Sequence, residues 1–136
     1  MKIIFYLFLC CLLSACGQSK RLSGANDSKR FLGLDSGKEI ILVNGVLIRL
    51  GRDFVAYGKY KIEDSFDEKT FISKYRLIKS DKQDTPFFEE ESSKIIWFKI
   101  NKNMKSFDFF DSKNESSRII WIDDSEGFIF VENAKW

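Results

Sequence analysis

The chain of 136 residues contains no histidine, one proline, and three cysteines that all fall within its first sixteen positions. The missing histidine excludes Ser-His-Asp and Cys-His catalysis, imidazole metal ligation and a histidine pH switch. A zinc site would have to be built from carboxylates alone, which is not the chemistry zinc favours. Apolar runs are short as well. The longest, Ile3 to Leu13, falls well below the roughly 20 residues that a bilayer-spanning helix requires. A net charge of +2 lacks the basic excess of a nucleic-acid binder, so no nucleic-acid partner is expected. No G-x-S-x-G, G-x-G-x-x-G or P-loop pattern occurs.

The N-terminus carries the most specific signal. Lys2, the apolar run to Leu13, and the small residues Ser14, Ala15 and Gly17 have the layout of a secretory signal peptide. Leu13-Ser14-Ala15-Cys16 resembles the lipobox of bacterial lipoproteins, over these first sixteen residues only. Each position has a physical task in that reading. Leu13 fills an apolar pocket of the peptidase, while Ser14 and Ala15 are small enough for it to approach. Cys16 supplies the soft nucleophile that takes a diacylglyceryl group as a thioether. The resemblance implies removal of residues 1–15 and a lipidated Cys16 as the first mature residue. It also implies a location in the cell envelope, anchored in the lipid bilayer. With Gly17 rather than Asp after the cysteine, it implies an outer-membrane protein facing the periplasm if the host is Gram-negative. No cofactor is expected beyond the covalent diacylglycerol and acyl chain.

Cysteine counting then changes meaning. Cys10 and Cys11 leave with the signal and Cys16 carries lipid, so the mature domain has neither a thiol nor a disulfide. Such an exported domain must rest on its apolar core alone.

Residues 16–38 read as the lipidated N-terminus and a flexible tether, rich in Gly, Ser, Asn and Asp, with Phe31, Leu32 and Leu34 able to dock on the domain. Residues 39–136 read as one globular, mainly β domain. It is expected to be a small antiparallel sheet of tandem hairpins, sandwich- or barrel-like, with at most one short helix. Asn44-Gly45, between two apolar β-branched runs, is a strong hairpin signal and predicts a turn there. Asp53 to Ile62 predicts a strand. Residues 65–78 are ambiguous. Thr70, Ile72 and Tyr75 favour a strand, whereas a capping box at Ser65 with Phe71, Tyr75 and Ile78 on one face gives the alternative, an α+β fold with a helix backing the sheet. Glu91-Ser92-Ser93-Lys94-Ile95-Ile96-Trp97 recurs almost unchanged as Glu115 to Trp121, and each copy predicts the first strand of a hairpin. The apolar residues on both sides of these strands imply a sheet covered on both faces.

Charge is uneven along the mature chain: +5 from Cys16 to Lys61 and −4 from Ile62 to Trp136. Glu89, Glu90 and Glu91, with Asp123 and Asp124, are the candidate partner-binding residues, since an acidic surface speeds docking of a basic protein. Glu89 and Glu91 could in principle converge as an acid–base pair, but they fall in a polar loop around Pro86. Asp123-Asp124-Ser125-Glu126-Gly127 faintly resembles a calcium loop. Its glycine comes too early and no closing Glu follows, so a hairpin turn is expected. Small size, a missing catalytic inventory and an anchor together favour a non-catalytic protein-binding module. Immunity proteins and lysozyme inhibitors are examples of that class. The alternative is a structural or assembly accessory of an envelope complex.

Overall fold

Ser116–Asp123 alternates its side chains between two apolar layers: Ile120 and Ile122 face one side, Ile119 and Trp121 the other. A strand with apolar residues on both faces needs cover on both, and the structure supplies it. A computed structural model describes residues 18–80 and 85–136. It shows seven antiparallel strands in one sheet that does not close into a barrel. They are β1 (Ser19–Arg21), β2 (Ile40–Leu50), β3 (Asp53–Ile62), β4 (Ile78–Lys79), β5 (Lys105–Asp111), β6 (Ser116–Asp123) and β7 (Phe128–Lys135). Their order in the sheet is β1-β2-β3-β7-β6-β5-β4. Leu13, Ser14, Ala15 and Cys16 lie outside the described residues. Among the described residues no helix is long and apolar enough to cross a membrane.

One face is covered by α1, a short helix Gly24–Asp27 that runs into a π-helical turn Ser28–Leu32, and by α2, Glu68–Lys74. Leu22, Phe31, Leu32, Leu34, Phe71 and Leu77 pack there against Leu47, Tyr60, Ile120, Ile122 and Ile129. The other face is covered by α3, Glu89–Ser93, and the turns that follow it. There Phe98 meets the rings of Tyr57, Trp121 and Phe130 edge-on, with centroids 4.9 to 5.9 Å apart.

Several local expectations are corrected. Residues 18–34 are not a flexible tether. Ser19–Arg21 adds the edge strand, and Leu22, Leu32 and Leu34 are almost wholly buried. Most of the polar residues that make this stretch look like a linker lie on its outer side, Ser28 being the buried exception. Asn44-Gly45 makes no turn either. β2 runs through it with a bulge between Leu42 and Asn44, and Gly45 faces inward where Leu22 closes on it. A Cβ on Gly45 would lie 2.8 Å from Leu22 Cβ, so glycine serves close approach here rather than a positive φ. The hairpin turns at Gly51, with φ +70°, so that β2 and β3 form one long ribbon.

Residues 65–78 take the helical alternative over Glu68–Lys74, not the favoured strand. Asp67 Oδ2 accepts from Thr70 N at 2.9 Å, and the Phe66 and Phe71 rings sit 5.3 Å apart as a hydrophobic staple. The fold therefore holds several short helices rather than at most one.

The repeated motif folds in two ways. The second copy is β6, and its hairpin with β7 stands as expected. The first copy is not a strand: it makes α3 and successive tight turns, with Ile95 N bonded to Ser92 O and Phe98 N to Ile95 O. Ile95 and Phe98 are buried at three-residue spacing while Ile96 is 87% exposed. Context decides the difference. Copy two follows a turn in which Asp111 Oδ1 accepts from Lys113 N and Asn114 N, and it has a strand on each side. β5 pairs with β6, not with residues 95–100.

Candidate functional site

Along β7 the side chains of Phe128, Phe130, Glu132 and Ala134 share one face of the sheet. Glu132 is therefore an acid placed at an apolar position, and it is fully buried. Register sets it directly opposite Tyr57 of β3. Tyr57 Oη donates to Glu132 Oε2 at 2.8 Å, Phe87 N donates to Oε1 at 2.6 Å, and Phe88 N donates to Oε2 at 3.2 Å. Burial pushes the Glu132 carboxyl above its ordinary value, against the lowering effect of those donors. Burial beside this carboxyl also pushes the Tyr57 phenol upward. The carboxyl has no access to solvent and both of its oxygens already accept hydrogen bonds. It latches the segment 87–98 to the sheet and offers nothing to a substrate.

A second, half-buried charge does the same on the opposite face. Arg118 of β6 donates from Nη1 to Gly33 O at 2.8 Å and stands over the Phe109 ring at 4.8 Å. Burial lowers its guanidinium from the usual value. Its Nε is buried without a hydrogen-bond partner among the described residues. Nearby, Ser28 Oγ donates to Leu34 O at 2.5 Å, so the 2.6 Å contact with Tyr60 must be donated by the Tyr60 hydroxyl. Together these bonds lock α1 onto the sheet.

The acidic residues singled out from the sequence are not brought together. Glu89, Glu90 and Glu91 form the first turn of α3, with Glu89 and Glu90 exposed. Glu90 makes a 3.8 Å ion pair with Lys94. Asp123 and Asp124 lie in the β6–β7 turn. There Asp123 Oδ1 accepts from Ser125 N, Ser125 Oγ and Glu126 N, and Asp124 pairs with Lys105 at 2.7 Å. The segment is thus a self-satisfied hairpin turn. Lys105 also bonds Glu68 at 2.5 Å and so ties α2 to this end of the sheet. Of the five acids, only those on α3 project from the surface with apolar neighbours in sequence: Phe87 is 52% exposed, besides Ile96.

The surface also carries hollows. A cleft of about 370 Å³ lies between α2 and residues 35–40, with the Asp35–Lys74 ion pair (2.9 Å) on its lip. The Lys74 ammonium holds the Asp35 carboxyl below the usual carboxylate range. A groove of about 540 Å³ runs between β2 and α3, lined by Ser19, Val46, Ile48, Leu50, Glu91, Lys94 and Ile95. Neither gathers a nucleophile beside a base. No three acidic, Cys or His side chains assemble into a metal cluster among the described residues. Glu132 and Arg118 escaped the sequence reading. For Glu132 the signal was there in principle, since it is a lone charge on an inward register position between Phe130 and Ala134. Comparison with family models, curated proteins and solved structures finds no match.

Proposed function

We propose that the chain is a membrane-anchored envelope lipoprotein that acts as a non-catalytic protein-binding module, of the kind represented by immunity and inhibitor proteins. The observation that carries this reading is the Leu13-Ser14-Ala15-Cys16 lipobox ahead of a domain that enters its sheet at Ser19. The interior supports it. Its buried Glu132 and half-buried Arg118 hold segments to the sheet. The partner-facing surface in this reading is the α3 segment, where Glu89 and Glu90 stand near exposed Phe87 and Ile96. An apolar anchor within an acidic rim fits a basic protein partner.

The test is genetic. Loss of the gene is expected to sensitise cells to an envelope-targeting toxin encoded beside it. The wild-type gene should restore protection, and a Glu89→Lys, Glu90→Lys, Ile96→Asp variant should not. Equal survival with and without the gene under that challenge contradicts the immunity form of the reading.

A further inference from the structure

The charge asymmetry that the sequence spreads over two halves of the chain is re-sorted by the register onto two ends of the sheet. One end gathers the β2–β3 turn, where Leu50 lies opposite Asp53, the close of β7 at Lys135, and the start of β6 at Ser116. β1 begins there too: Ser19 lies opposite Ile48, and Arg49 N donates to Gln18 O at 3.1 Å. This is the end at which the chain enters the fold. Two peptide steps separate Gln18 from Cys16, about 7 Å at full stretch.

On the α1 side of this end, cations surround two phenylalanines. Lys20 Nζ and Arg30 Cζ lie 5.4 and 5.0 Å from the Phe31 ring centroid. Phe31 meets Phe54 edge-on at 6.1 Å. Arg49 and Lys135 stand opposite Phe54 on its two neighbouring strands. All four cations are exposed, and none forms an ion pair among the described residues. Asp53, Asp111 and Glu115 share this end without bridging to them. At the opposite end lie Glu63, Asp64, Asp123, Asp124 and Glu126, with Lys105 already held between Glu68 and Asp124.

We propose that the Lys20–Arg30–Arg49–Lys135 corner is a docking surface for an anionic phospholipid bilayer. The domain then stands end-on, with its acidic β6–β7 turn directed away from the membrane. The proposal rests on the lipoprotein reading, because it needs the anchor at Cys16. Leash length and charge together carry it. Attraction between exposed charges fades over a Debye length of about 10 Å at moderate salt. A long tether would let the domain drift beyond that range, whereas a leash of about 7 Å keeps the corner inside it. Repulsion of the acidic end by the same lipid surface adds torque of the same sense.

The test uses the acylated mature protein, purified from membranes and reconstituted into vesicles. The mature chain has no thiol besides Cys16, so Leu50→Cys and Glu126→Cys each place one fluorophore, at the near and far ends. Quenching by a headgroup nitroxide lipid is expected to be several-fold stronger at position 50 than at 126 in vesicles containing phosphatidylglycerol. The contrast should shrink at least twofold in pure phosphatidylcholine and in the Lys20→Glu, Arg49→Glu, Lys135→Glu variant. Equal quenching at both positions overturns the proposal, as does a contrast indifferent to lipid charge. The lipid comparison needs no charge mutation, so it stands even if the triple variant folds poorly. The mass of the purified protein separates the two levels of failure. Acyl chains present with equal quenching refutes the docking alone, whereas their absence refutes the anchor and the docking with it.

Discussion

Leu32→Ala is expected to lower the unfolding free energy by about 3 kcal/mol, within the range for emptying a well-packed leucine site, and to lower the melting temperature by roughly 10 °C. The residue lies in a stretch of Gly, Ser, Asn, Lys and Arg that has the composition of a linker. Its side chain nevertheless has no solvent exposure. It packs among Phe31, Leu34, Tyr60 and Ile120 beneath α1. Its carbonyl, with that of Gly33, faces the Arg118 guanidinium. Loosening α1 therefore also threatens to strip the half-buried Arg118 guanidinium of its carbonyl partners, which adds to the lost apolar contacts. For a domain with a total stability of about 5–15 kcal/mol, the loss is large. Thermal and urea unfolding of the full mature chain measure it. An unchanged midpoint would mean that residues 18–34 are a tether after all.

The second large effect is expected at Glu132. Replacement by alanine leaves the part-buried Phe87 N and Phe88 N without this acceptor, at a cost of about 2 kcal/mol in all. Tyr57 Oη can turn its one proton to Phe88 O, 3.2 Å away, so it is not orphaned. Glutamine is the informative variant. Its Oε1 can take the Phe87 N bond while its amide donates to Tyr57, leaving only the longer Phe88 contact unmet. The pH dependence separates charge from hydrogen bonding. Burial raises the Glu132 carboxyl, so the folded state keeps its proton to higher pH than the unfolded chain does. The group's stabilising contribution is therefore complete below its ordinary value and is lost as pH rises through the raised one. Glutamine does not titrate, so Glu132→Gln should gain stability relative to wild type as pH rises from roughly 4 to 8. Urea midpoints across that range test it. A difference that stays constant, or a Glu132→Gln variant that loses stability relative to wild type as pH rises, would show that the donors outweigh burial.

The parts of the fold that could be read in advance are those whose own pattern agrees with their partners. β3 was expected over Asp53 to Ile62 and occupies those residues. The β6–β7 hairpin has apolar strands and a turn at Asp123 to Gly127 that satisfies its own polar groups. Elsewhere a local signal lost to tertiary context. Asn44-Gly45 offers a good turn, but a Leu22 backbone already seated against Gly45 and a continuous ladder to β3 keep the strand straight. Ile95-Ile96-Trp97-Phe98 has strand composition, but the place beside β5 where its hairpin would put it is taken by β6. It instead buries Ile95 and Phe98 from a turn and leaves Ile96 outside. In the N-terminal stretch Phe31, Leu32 and Leu34 were legible as a docking cluster, whereas Leu22 and the edge strand before it, isolated among polar residues, were not. Of the candidate surface, Glu89 and Glu90 were visible as an acidic run. The exposed Phe87 and Ile96 near them were not, because an exposed hydrophobe looks the same in sequence as a core one.

The account turns on Cys16, the residue from which the orientation and the envelope role both follow. The most direct measurement is the intact mass and N-terminal peptide of the protein isolated from membranes of its own host. The expected result is a chain that begins at Cys16, carries a diacylglyceryl thioether, and becomes soluble and unlabelled by an acyl probe in the Cys16→Ser variant. A mature chain that starts elsewhere, or one with a free Cys16 thiol, would contradict it.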